Sequence, residues 1–150
     1  MARKVNELHW LVNHELTLAK RYRRFVSLML LESDDDLGNL KSSFLAGFRD
    51  SDVCFEVSES CIAVLMSETD QAGAKSAYAR LKQELEIKEG NLRCGLVTYP
   101  EDNLAPLHFM QTVYQRLRDT RAKTSMVVKS QYLMRAVDEA LNETIEKKEG

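Results

Sequence analysis

The stretch Phe48–Asp70, FRDSDVCFEVSESCIAVLMSETD, decides the fold. Cys54, Phe55 and Val57 open a strand, and Ser58, Glu59 and Ser60 form a polar break. Ile62 to Met66 then make a continuous apolar run. Two short β-rich runs around a small polar turn predict a hairpin, and the unbroken second run predicts an arm buried on both faces. Just ahead of the first arm stands Arg49-Asp50-Ser51-Asp52, an Arg-x-x-Asp.

Working outward, Phe25 to Leu31 is an apolar run of strand length and the expected central strand. Before it, Val5, Leu8, Val12, Leu16 and Ala19 recur at helical spacing, widened by Trp10 and Leu11, and predict a helix over residues 1–22. Lys20, Arg21, Arg23 and Arg24 cluster at its end. Cations there complement the helix dipole or, alternatively, contact a phosphate. After the hairpin, Ala74, Ala77, Tyr78, Leu81 and Leu85 predict an amphipathic helix over 72–87. Gly90-Asn91 reads as a turn, Leu92 to Tyr99 as a strand closed by Pro100, and 104–121 as a helix with Phe109, Val113 and Leu117 inward. Met126 to Val128 predict a short last strand, and 131–148 a further helix with Leu133, Val137, Ala140, Leu141 and Ile145 on one stripe. That last helix packs on its own domain or forms a dimer or partner face.

The 150 residues suit one domain, 1–150, with no repeat or low-complexity linker. A hydrophobic fraction of 44% and a net charge of -2 give no global drive toward nucleic acid or an acidic membrane. Cys54, Cys61 and Cys94 lack any C-x-x-C spacing and read as buried, reduced thiols of a cytoplasmic protein. Charged residues follow Met1 at once, with no signal peptide, and no apolar run approaches the ~20 residues of a membrane span. His9 and His14 are five apart, wrong for two ligands on one helical face. No Ser-His-Asp arrangement, P-loop or Rossmann fingerprint occurs, so no metal or cofactor is expected.

The hairpin resembles that of the GGDEF domains, the diguanylate cyclase fold. There an Arg-x-x-Asp precedes a strand, the signature turn follows, and a run like Phe-Ala-Val-Leu-Leu-Pro-x-Thr-Asp completes the hairpin. Aligned on Ile62-Ala63-Val64-Leu65 and Thr69-Asp70, the signature turn becomes Ser58-Glu59-Ser60-Cys61-Ile62, of which only the apolar last position survives. Glu15-Leu16-Thr17-Leu18-Ala19-Lys20-Arg21-Tyr22 is similar to the family's leading helix, Glu-Leu-x-x-Ala-x-Arg-Tyr. The resemblance covers about 15–128. It implies an α/β (α+β) fold with a central, mostly antiparallel sheet of about five strands flanked by helices.

It also marks departures. Active members carry Phe-Lys-x-x-Asn-Asp and Gly-His-x-x-Gly-Asp on two helices that read guanine. This chain has only Asp36 to Phe48, one amphipathic helix through Leu37, Leu40, Phe44, Leu45 and Phe48. The family's lysine and arginine after the next-to-last helix have no convincing match in Arg116 to Ser125. Glu32 and Asp34 end the central strand where the family holds metal ions, with Asp35 and Asp36 reading as a solvated loop or helix N-terminal charge. Glu59 stands in place of the second signature glycine, and Ser60 and Cys61 replace the acidic positions. A hydroxyl or neutral thiol does not substitute for a carboxylate on a hard cation. The resemblance therefore implies a degenerate domain that is not an enzyme.

In the family the Arg-x-x-Asp forms an inhibitory product-binding site, often completed by an arginine of the following helix. Here those positions are Arg49, Asp52 and, in the family's register, Arg80. Arginine donates a two-pronged hydrogen bond to guanine O6 and N7. The implied function is a non-enzymatic cyclic di-GMP receptor signalling through its terminal helices to a protein partner or a second copy. The competing reading is a ligand-independent interaction or scaffold domain.

Overall fold

The computed structural model describes residues 3–34, 46–85, 91–122 and 140–141. Strands β1 (Arg3–Lys4), β2 (Val26–Ser33), β3 (Val53–Ser58), β4 (Cys61–Ser67) and β5 (Leu92–Tyr99) form one sheet in the order β1-β3-β4-β2-β5. The helices α1 (Leu8–Tyr22), α2 (Gln71–Glu84) and α3 (Pro106–Ala122) flank it.

The run around Leu28 is indeed central. β2 pairs antiparallel with β4 on one side, Leu28 opposite Leu65, and with β5 on the other, Leu28 opposite Val97. All eight of its residues are buried, as are Cys61 to Met66 of β4. Side chains alternate between the two faces of a strand, so each apolar run feeds two cores. Leu28, Leu30, Ala63, Leu65, Phe55 and Val97 meet Leu8, Val12, Leu16 and Ala19 of α1 and Phe109, Val113 and Leu117 of α3. On the other face Met29, Leu31, Ile62, Val64 and Met66 pack against Ala74 and Leu81 of α2. Burying a side chain of this size contributes about 1.5–3 kcal/mol.

Local chemistry sets the ends. Arg23 adopts a left-handed conformation (φ 55°, ψ 50°) and closes α1 through its N–H on the Ala19 carbonyl. Asp70 caps α2, accepting from the Gly73 N–H at 2.7 Å. Gly95 has a packing role: a Cβ there would lie 2.3 Å from the Val113 carbonyl oxygen and 2.8 Å from the Leu117 nitrogen. Its bare backbone is what lets α3 lie so close to the sheet.

Two differences from the sequence reading stand out. The first helix begins at Leu8, not at residue 1, because Arg3–Lys4 runs parallel to β3, with Arg3 opposite Phe55. Without that pairing β3 would leave backbone donors and acceptors open at the sheet edge. This short strand supplies a fifth sheet position, whereas the strand expected at Met126–Val128 lies outside the described residues. Of the helix expected over 131–148, Ala140 and Leu141 are described; both are helical, and Leu141 packs against the core shared by α1 and α3. Most of the helix expected over Asp36–Phe48 also falls outside, Ala46 being helical where description resumes.

Candidate functional site

The sequence singled out Arg49, Asp52 and Arg80, and the fold brings all three to one open cleft of about 370 Å³. β3 starts just after Asp52, while α2 carries Arg80 across the same face of the sheet. Phe25, Met66 and Thr69 also line it. Both guanidinium side chains are about half exposed, at 52% for Arg49 and 55% for Arg80. Arg80 donates from Nη2 to the Gly47 carbonyl at 3.1 Å and faces Glu84, 4.0 Å away, one helical turn on.

Asp52 behaves differently from the two arginines. Its side chain is only 1% exposed. One carboxylate oxygen accepts from the Arg49 backbone N–H at 3.0 Å and the other from Arg49 Nη2 at 3.2 Å. The same Nη2 also donates to the Ser67 carbonyl at 3.2 Å and to Thr69 Oγ1. Asp52 thus folds the Arg-x-x-Asp turn and aims Arg49 along the end of β4. The remaining carboxylates of the cleft are likewise tied to donors, Asp70 as the α2 cap and Glu68 in an ion pair with Arg24 at 3.4 Å.

The signature hairpin tells a second story. Ser58 ends β3 opposite Cys61, with a register irregularity between Glu56 and Ser58, and Glu59-Ser60 makes the turn. The Ser60 N–H donates to Ser58 Oγ at 3.3 Å, and the Ser60 carbonyl accepts from the Ser33 N–H at 2.9 Å. Glu59 is exposed and Ile62 is buried. Cys61 is fully buried beside Glu32, its β2 partner, and burial followed by the Glu32 charge pushes its thiol far above the ordinary range. It presents a neutral S–H, not a thiolate.

Glu32 itself is buried and held by two arginines that the sequence reading did not single out. Arg93 donates from Nε at 2.8 Å and Nη2 at 2.5 Å to one oxygen, and Arg121 donates from Nε at 2.7 Å and from Nη2 to the other. Arg93 Nη2 also reaches Asp34 Oδ1 at 2.6 Å. Burial works against the Arg93 charge, yet its hydrogen bonds to Asp34 and Glu32 prevail and raise its pKa. Two carboxylates and two guanidiniums are therefore closed into a neutral buried cluster. A signal for it was legible: Arg93 interrupts an apolar strand, and Arg121 falls four residues beyond Leu117 on the inward stripe of α3. Among the described residues no group of three or more His, Cys, Asp or Glu is placed to hold a metal ion.

The other thiols and the Tyr78 phenol are held in their neutral forms by burial. Burial pushes the thiol of Cys54 to about 11 and that of Cys94 to about 12. It also raises the Tyr78 phenol to about 12, the hydroxyl donating to the Leu92 carbonyl at 3.1 Å. His14 stacks on the exposed Trp10, ring centroids 5.2 Å apart. Among the described residues no helix is long and apolar enough to cross a membrane.

No family model matches the chain, and no curated protein matches it either. Solved structures do. An N-terminally shortened form of YfiN (TpbB) from Pseudomonas aeruginosa, comprising only the GGDEF domain, superposes with a TM-score of 0.72 at 15% identity, covering 82% of this chain and 86% of that one. The active GGEEF domain of a diguanylate cyclase from Vibrio cholerae gives 0.69 at 15% identity, covering 82% and 92%. The GGDEF domain of DgcB from Caulobacter crescentus, solved in complex with c-di-GMP, gives 0.61 at 9% identity, covering 75% and 78%. The chain has the fold of a GGDEF domain, and at these identities the likeness speaks for the fold alone.

Proposed function

We propose that this domain does not synthesise cyclic di-GMP but binds it, as a receptor whose occupancy is passed to a protein partner. The observation that carries the reading is the convergence of Arg49 and Arg80, each half exposed, on one cleft of ligand size. Two guanidinium forks suit a guanine O6/N7 edge and a phosphate. Asp52 acts first as the positioning group for Arg49 and meets guanine N–H donors only if Arg49 releases it. Catalytic silence is supported at the other end of β2. Arg93 and Arg121 hold the Glu32 carboxylate where the fold's metal chemistry requires a cation, and the neighbouring Cys61 is neutral.

A route to a partner starts at the cleft. Glu68 lines it and pairs with Arg24, which follows directly on α1. The outward side of that helix exposes Trp10 and Tyr22. Displacing Glu68 would free the Arg24 side chain at the end of α1.

Calorimetric titration of the purified chain with cyclic di-GMP tests the reading, with Arg49→Ala and Arg80→Ala alongside and GTP as control. Micromolar or tighter binding that is lost in both variants is the expected result. No heat with either ligand would favour the scaffold reading, which has its own support in the closed Arg49–Asp52 pair. Turnover of GTP with magnesium would overturn catalytic silence.

A further inference from the structure

Phe25 is one of three large hydrophobic residues exposed among those described, at 44%, although the next residue, Val26, is 1% exposed. Trp10 and Tyr22, the other two, lie on α1, whereas Phe25 stands at the mouth of the arginine cleft. It stands just before β2 and lines the cleft together with Ala77 and Arg80 of α2. The ring also borders a smaller cleft of about 140 Å³ that includes Glu15 and Arg24. It belongs to neither hydrophobic core.

A nucleobase needs two kinds of partner: hydrogen-bonding groups for its edge, and a flat apolar surface for its face. The cleft already holds the first kind in Arg49 and Arg80. We propose that the Phe25 ring supplies the second, as the stacking platform for a purine base of the nucleotide held by those arginines. The assignment rests on the receptor reading above and adds a residue that the Arg-x-x-Asp pattern does not contain. Stacking is indifferent to which purine is present, so Phe25 governs affinity while the arginines govern the choice of guanine.

Titrating Phe25→Ala, Phe25→Leu and Phe25→Tyr with cyclic di-GMP, beside the wild type and Arg49→Ala, separates the possibilities. Loss of one base stack corresponds to roughly a 5- to 150-fold weakening. Phe25→Ala and Phe25→Leu are expected in that range, and Phe25→Tyr within about 2-fold of wild type, because it keeps the aromatic face. Leucine keeps apolar bulk without a π-face, so wild-type affinity in Phe25→Leu would overturn stacking. Wild-type affinity in Phe25→Ala would remove Phe25 from the site and leave the arginine cleft standing. Failure of the wild-type protein to bind would overturn this proposal together with the receptor reading. Thermal melts of each variant, expected to match wild type because the ring lies outside both cores, show that any loss is local.

Discussion

The two ends of β2 use the same chemistry to opposite effect. At its start, on the α2 face, Arg49 and Asp52 pair beside a half-exposed Arg80. At its end, roughly 23 Å away along the strand, Glu32 is enclosed by Arg93 and Arg121 beneath α3. The first set keeps its cations in reach of solvent. In the second, Glu32, Arg93 and Arg121 are about 3% exposed and Asp34 10%, two carboxylates facing two guanidiniums. The exposed Arg80–Glu84 pair contributes about 0–1 kcal/mol, whereas Asp52, 1% exposed, holds the turn that carries Arg49. A buried cluster costs its desolvation in full and survives only while every member is satisfied. One end leaves its guanidiniums half exposed; the other encloses them against carboxylates.

The sharpest way to break that contrast is Glu32→Ala, which leaves two buried guanidiniums without their shared partner. Urea unfolding is expected to lose about 3–5 kcal/mol. A loss under about 1 kcal/mol would mean the cluster is wet and the contrast false. Next in size is Gly95→Ala, whose Cβ would strike the α3 backbone and force helix and sheet apart. Overpacking of this kind costs about 1–3 kcal/mol, read as a lower denaturation midpoint.

At the open end, Arg80→Ala is expected to change stability by no more than about 0.5 kcal/mol while abolishing ligand heat. A large stability loss there would recast the cleft as structural. The smallest effect concerns an intermediate case, Asp102, which accepts two 2.8 Å bonds from the partly exposed Arg116 and one from the Thr98 N–H. Hydrogen bonding by Arg116 leads, against burial, in holding its carboxyl below the usual range. A depressed folded pKa means stability present above the unfolded value of about 3.9 and lost as pH falls through the folded one. Asp102→Asn is therefore expected to flatten the acid limb of the stability curve below about pH 4, by less than 1 kcal/mol because solvent screens the pair.

The contrast also explains what was legible beforehand. β2, the hairpin and the helices around Leu16, Leu81 and Leu117 were readable because periodic apolar residues must find a core whatever their neighbours are. The Arg49–Asp52 pair was readable because it is local, whereas the bonds from Arg49 to Ser67 and Thr69 were not. Glu32 was read only as standing where the resembled family holds metal ions, with no metal expected, and nothing local pointed to its arginine partners. Its partners come from 61 and 89 residues further along the chain.

By itself, then, the sequence determined the alternation of helices and strands, the two-faced core and the altered signature turn, since these follow from periodicity and side-chain type. Tertiary structure alone decided three things: that Arg93 and Arg121 close on Glu32, that Arg3–Lys4 pairs along β3, and that Phe25 borders the cleft of Arg49 and Arg80. Ion pairing, strand pairing and cleft formation depend on which distant segments are brought within a few ångströms, and no local pattern encodes that distance.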